Sequence, residues 1–175
     1  DELEKIVREV REIVKESKEE ARRILEENKK IVEELRRRLR KILEENEDMV
    51  RKLEKKTNED KDTVRRLLEE NKRVAKEVED KVRKLIKENE DVMREVEKKV
   101  EKSLRDNKRV LDDVRRRVDS RVLEELERII RESEEANKKV LEDSRRVNKK
   151  LSEELKRVLD ESRRRNEELS KRIKD

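Results

Sequence analysis

Asparagine is the residue type whose placement in this sequence could do chemistry. Nine occur. An amide side chain offers two donors and an acceptor. In a helix interior it competes with the backbone for hydrogen bonds, so such positions usually avoid it. Here eight of the nine, all but Asn58, stand in an apolar pattern where Leu or Val is expected. Their numbers obey arithmetic. Asn46 and Asn71 add to 117, as do Asn28 and Asn89. Asn166 follows Asn46 by 120, Asn148 follows Asn28 by 120, and Asn137 follows Ser17 by 120. Asn71 with Asn166, and Asn89 with Asn148, add to 237.

Residues of constant sum face each other in an antiparallel hairpin. Half of 117 centres one reversal at 58.5, and half of 237 centres a second at 118.5. An up-down-up arrangement of three helices then brings the amides to common heights. One expected layer holds Asn46, Asn71 and Asn166, with Ser162 a turn away. A second holds Asn28, Asn89 and Asn148, with Ser144. A third, looser layer holds Ser17, Asn137, Ser133, Ser103 and Asn107. The two clean layers are 18 residues apart, about 27 Å along a helix. A plainer reading makes these asparagines exposed edge positions, but it leaves the constant sums unexplained. Buried amides and hydroxyls that satisfy one another fix register more than they stabilise, because a slip leaves polar groups unpaired.

Other chemistry is excluded by composition. The 175 residues include no His, Cys, Gly, Pro, Phe, Tyr, Trp or Gln. That removes the usual zinc, haem and iron–sulfur ligands, Ser-His and Cys-His nucleophile pairs, glycine loops that cradle phosphates and aromatic platforms for bases. A bundle can hold two metals on inward Glu residues, but that design also needs core His. No pair of acids lies in a core position for proton transfer. The expectation is no catalytic, cofactor-binding or metal site.

Charged residues make up 60% of the chain, against roughly a quarter in an average domain. The net charge is nevertheless only +5, and Leu, Ile and Val supply 46 residues. That is enough apolar material to argue against disorder. The densest basic run, Arg36, Arg37, Arg38, Arg40 and Lys41, has Glu33, Glu34, Glu44 and Glu45 within a turn. It reads as a solvated helix face and not as a nucleic-acid site, as do Arg115–Arg117 and Arg163–Arg165. Residues 1–15 intersperse Asp1, Glu2, Glu4 and Glu9 among apolar positions, unlike a signal peptide. No apolar run exceeds two residues, so no membrane span is expected. The helices of exchangeable apolipoproteins use aromatic anchors that this chain lacks.

The elements that must position the amides are legible in the spacing. Apolar pairs begin at Ile6, Ile13, Ile24, Ile31, Ile42 and Met49, with steps alternating 7 and 11. The same rhythm returns in slots from Leu67 to Leu111 and from Val122 to Asn166. An 18-residue repeat gives five turns of 3.6 residues, the period of a straight helix. A 7-residue repeat winds left-handed and an 11-residue repeat right-handed, so their alternation cancels the drift.

Ends are marked weakly. No apolar residue occurs between Leu53 and Val64, where Thr57 or Asn58 can cap. Asp119 and Ser120 precede a stripe whose phase is rotated by roughly 100°. Lys55, Lys56, Arg115, Arg116, Arg117, Arg172 and Lys174 lie near the expected C-termini. Asp1, Glu2, Glu59, Asp60, Glu124 and Glu125 lie near the N-termini, as helix dipoles favour. The expected class is all-α: one antiparallel, untwisted three-helix bundle spanning 1–175, with helices near 2–56, 59–118 and 121–174. Each would be about 80–90 Å long.

The 18-residue repeat, the alphabet dominated by Glu, Lys, Arg, Leu, Val and Asn, and the registered Asn positions resemble computationally designed parametric helical bundles with programmed hydrogen-bond networks. The resemblance covers the whole chain. Spectrin-type three-helix repeats are similar in outline but are heptad-based and carry a core Trp. Designed loops usually contain Gly or Pro, and this sequence departs from that pattern. The resemblance implies a monomeric scaffold with no natural biochemical function, no required partner, no nucleic acid, no membrane and no native compartment, soluble and cytoplasmic when expressed recombinantly. The alternative function is a helical module that self-assembles or binds a partner. Stripes one and two are nearly in phase across residue 58. A long unbroken helix that assembles with its copies, or a domain-swapped dimer, is therefore the rival architecture.

Overall fold

A computed structural model describes residues 2–55 and 61–174. It contains three helices: α1 (Glu2–Lys55), α2 (Lys61–Arg117) and α3 (Ser120–Lys174). Their 54, 57 and 55 residues are rich in Leu, Glu, Lys and Arg, which cost little backbone or rotamer entropy in a helix. No strand occurs among the described residues, and the fold is an all-α three-helix bundle. The first reversal, with Lys56, Thr57, Asn58, Glu59 and Asp60, lies outside the described residues, as do Asp1 and Asp175.

The second reversal is short. Only Val118 and Asp119 separate α2 from α3. The Val118 amide still donates to the Val114 carbonyl at 3.1 Å, so α2 closes its last turn one residue beyond its helical bounds. Asp119 caps α3. Its carbonyl accepts from the Leu123 amide at 3.1 Å, and its Oδ1 accepts from the Arg121 amide at 3.3 Å. The cap starts α3 at Ser120, one residue before the sequence expectation. It also replaces the dipole role expected of Glu124 and Glu125, because the first turn of α3 holds no acid. Among the described residues no backbone φ is positive, which explains how the connection does without glycine. In α1 and α2 the dipole charges are in place, with Glu2, Glu4 and Asp62 in first turns and Lys55 and Arg115–Arg117 in last turns.

Packing falls into two compact units, Asp1–Ile31 with Asp91–Val147, and Val32–Glu90 with Asn148–Asp175. The first has two apolar clusters. Ile6, Val10 and Val14 of α1 meet Val114 of α2 and Leu126 and Ile130 of α3. Further along, Ala21 and Ile24 meet Val96, Val100 and Val140. In the second unit Val32, Leu35, Val82, Leu85, Leu151 and Leu155 are buried. Each fully buried branched side chain contributes about 1.5–3 kcal/mol relative to exposure.

Within an apolar pair the two residues are not equivalent. In α1 the first member is buried at Ile6 and Ile24, whereas the second is buried at Val14, Val32 and Val50. Ile13 and Ile31, 18 residues apart, are left 39% exposed. Among the described residues no helix is long and apolar enough to cross a membrane.

Candidate functional site

The polar residues singled out in the sequence are mostly buried. Asn28, Asn46, Asn71, Asn89, Asn107, Asn137, Asn148, Asn166, Ser133, Ser144 and Ser162 are all buried, while Ser17 and Ser103 are half-buried.

In the first unit a hydrogen-bond chain separates the two apolar clusters and joins all three helices. Asn107 Nδ2 of α2 donates to Ser133 Oγ of α3 at 2.9 Å. Asn137 Nδ2, one turn on in α3, donates to Ser17 Oγ of α1 at 3.2 Å and to the Ser133 carbonyl at 2.9 Å. Ser103 lines a cleft beside Ser17 and Asn107 and takes no part in these bonds. Ser144 is buried in the same unit, with a hydroxyl that lacks a partner among the described residues. The adjustable hydroxyl of a helical Ser can turn to its own backbone at little cost.

In the second unit α2 and α3 are joined twice. Asn89 Nδ2 donates to the Asn148 carbonyl at 2.9 Å, and Asn148 Nδ2 donates back to Asn89 Oδ1 at 3.0 Å. Eighteen residues away the exchange is one-sided. Asn71 Nδ2 donates to the Asn166 carbonyl at 3.3 Å and to Ser170 Oγ at 3.1 Å, while Asn166 Nδ2 turns to Ser162 Oγ at 3.4 Å. Asn71 Oδ1 and Asn166 Oδ1 are left without partners among the described residues. So is Oδ1 of Asn46, which shares their unit but hydrogen-bonds to neither. Asn28 is buried in the first unit, whereas Asn89 and Asn148 belong to the second.

Ser170 was not among the residues singled out. The signal for it is a spacing: Ser162, Asn166 and Ser170 repeat Ser144, Asn148 and Ser152 at an offset of 18. Residues four apart share a helix face, so Asn148 and Asn166 are each flanked by a hydroxyl above and below.

Ion pairs between helices surround these layers. Arg36 grips Glu154 with Nε at 3.2 Å and Nη2 at 3.4 Å, and Arg38 reaches Glu88 at 2.5 and 3.2 Å. The densest basic run thus spends two of its charges on neighbouring helices. The hydrogen bond to Glu88 holds the Arg38 guanidinium above its ordinary pKa, and Glu79, 2.7 Å from Arg163, does the same there. Lys18, hydrogen-bonded to Glu132 at 2.8 Å, lowers that carboxyl below its ordinary value. Among the described residues no group of three or more carboxylates gathers as a metal ion would need.

No family model matches the chain, and no curated protein matches it. A solved structure described as a computationally designed three helix bundle is similar to it. The two are 24% identical over 99% of this chain and 87% of that one, with a TM-score of 0.42. A score that low gives the likeness no weight. The three-helix fold rests on the helices themselves. What the polar residues can do chemically is donate and accept hydrogen bonds within and between the helices. The serine hydroxyls among them have no His to activate them, because the sequence contains none.

Proposed function

We propose that the chain is a computationally designed, single-chain structural scaffold, without catalysis or cofactor, in which buried Asn and Ser side chains set the register of the helices. One observation carries the reading: the reciprocal exchange between buried Asn89 and Asn148, one hydrogen bond to the Asn148 backbone carbonyl and one between the side chains. Sliding α3 along α2 by a turn would break both of these buried hydrogen bonds, at about 0.5–1.5 kcal/mol each. The 18-residue repeat and an alphabet lacking eight residue types support a designed origin. The chain then needs no partner, nucleic acid or membrane.

Light scattering tests the single-chain state. A mass of 21.5 kDa at all concentrations is expected. A doubled or tripled mass would favour the self-assembling module, for which the half-exposed Ile13 and Ile31 supply apolar surface.

A further inference from the structure

We propose that the cleft between α1 and α2 lined by Ser17, Ser103 and Asn107 is a binding site for an alkylguanidinium, the chemistry of an arginine side chain. The cleft lies within the first unit and measures about 560 Å³, inside the roughly 300–1,000 Å³ of small-molecule sites. The second unit shows what this one lacks. Moving 18 residues forward in α1 and 18 back in α2 keeps the antiparallel register: Glu20 and Asp106 add to 126, as do Arg38 and Glu88. By that shift Ser17 corresponds to Leu35, Ser103 to Leu85, and Asn107 to Asn89. Leu35 and Leu85 are both buried. Two serines in the places of two leucines leave room that side chains would otherwise fill.

The charges differ as well. Glu20 stands where the repeat has Arg38, and Asp106 where it has Glu88. In the second unit the Arg38 guanidinium lies on the Glu88 carboxylate, at 2.5 and 3.2 Å. In the first unit that guanidinium is missing. Glu16, Glu19, Glu20 and Asp106 line the cleft against a single lining cation, Arg23, which is 3.6 Å from Glu20. A buried polar atom points to the same ligand. Asn107 lines the cleft and is 3% exposed. Its Nδ2 is engaged by Ser133, while its Oδ1 accepts no hydrogen bond among the described residues. Unlike Oδ1 of Asn71, Asn137 and Asn166, that oxygen is not sealed from solvent, so a donor in the cleft can reach it. Among the described residues the acids do not gather as a metal ion would need. A planar cation with five N–H donors suits acceptors set further apart, carboxylates at the rim and an amide oxygen within. Its alkyl chain would lie over Ile13, which lines the cleft and is half-exposed.

The test uses the full chain at constant ionic strength and follows the side-chain amide resonances of Asn107 by NMR. Millimolar butylguanidinium should shift them in a saturable way, with the weak affinity of exposed ion pairs. The Asn89 amide, at the corresponding place in the second unit, should respond far less. Butyltrimethylammonium has the same chain and charge without N–H donors, and should shift Asn107 at least several-fold less. Glu20→Arg, which copies residue 38, should set a guanidinium on Asp106 and abolish the response, while circular dichroism shows unchanged helix content. No saturable shift, equal shifts with the two cations, or equal shifts at Asn107 and Asn89 would overturn the proposal. So would a butylguanidinium response that survives in a folded Glu20→Arg variant. The comparison of the two cations needs no substitution and stands even if that variant does not fold.

Discussion

Asn148 returns to Asn89 the hydrogen bond it receives: its carbonyl accepts from Asn89 Nδ2 at 2.9 Å, and its Nδ2 donates to Asn89 Oδ1 at 3.0 Å. One repeat away, Asn166 and Asn71 start from the same spacing and do not complete the exchange, because Asn166 Nδ2 turns to Ser162. The same Ser-x3-Asn-x3-Ser cassette therefore resolves in two ways. The unreciprocated one borders a cleft that Ala75 and Arg163 also line.

The reciprocal pair predicts a non-additive pair of mutants. Asn89→Leu removes the Oδ1 that accepts from buried Asn148 Nδ2 and should cost about 1–3 kcal/mol. Replacing Asn89 and Asn148 together removes both polar groups and should be neutral or stabilising. Chemical denaturation of the two variants decides it. Losses that simply add would mean the amides act independently.

Ser133 predicts a second effect of the same kind. Ser133→Ala removes the acceptor of Asn107 Nδ2 at a site with 0% exposure. A lost buried acceptor costs about 1–3 kcal/mol, and the better helix propensity of Ala returns only about 0.5 kcal/mol. At roughly 2–4 °C per kcal/mol for a chain of this size, thermal denaturation should show a lower midpoint.

Adjacent isoleucines should behave differently. Ile130 is 1% exposed, whereas Ile129 is only partly buried against the same cluster. Ile130→Ala should cost about 2–5 kcal/mol, and Ile129→Ala clearly less. Urea midpoints compared at a constant m-value measure the difference.

The Lys18–Glu132 pair predicts a pH dependence of definite sign. Lys18 lowers the Glu132 carboxyl below its ordinary value of 4.5, first by its hydrogen bond and then by its charge. A carboxyl lowered on folding stabilises above its unfolded pKa and loses that contribution as pH falls through the folded value. Glu132→Gln should therefore leave stability unchanged in strong acid and reduce it slightly near neutrality. The difference should shrink with added salt, because both side chains are solvated. A carboxyl NMR titration reads the shift directly.

The sequence by itself determined the number of helices and the pairing of Asn71 with Asn166 and of Asn89 with Asn148. A 7-and-11 rhythm can be met only by a helix of 3.6 residues per turn, and constant sums survive only when α2 and α3 run antiparallel. The numbers of Asn71 and Asn166, and of Asn89 and Asn148, already contain the pairing that their side chains make. What the repeat fixes is angle and height, in steps of 100° and 1.5 Å.

The tertiary structure decided everything finer than that step. Packing chose Val14 over Ile13 and Ile6 over Val7 for the interior, because neighbouring helices cover one side of an adjacent pair and leave the other to water. It set the Asn107–Ser133–Asn137–Ser17 chain across three helices, drew in Ser170, and left Asn46 Oδ1 without a partner among the described residues. An amide's direction depends on its rotamer and on the volume of the residues facing it across the helix interface. Those volumes come from residues far apart in the chain, and only folding brings them together.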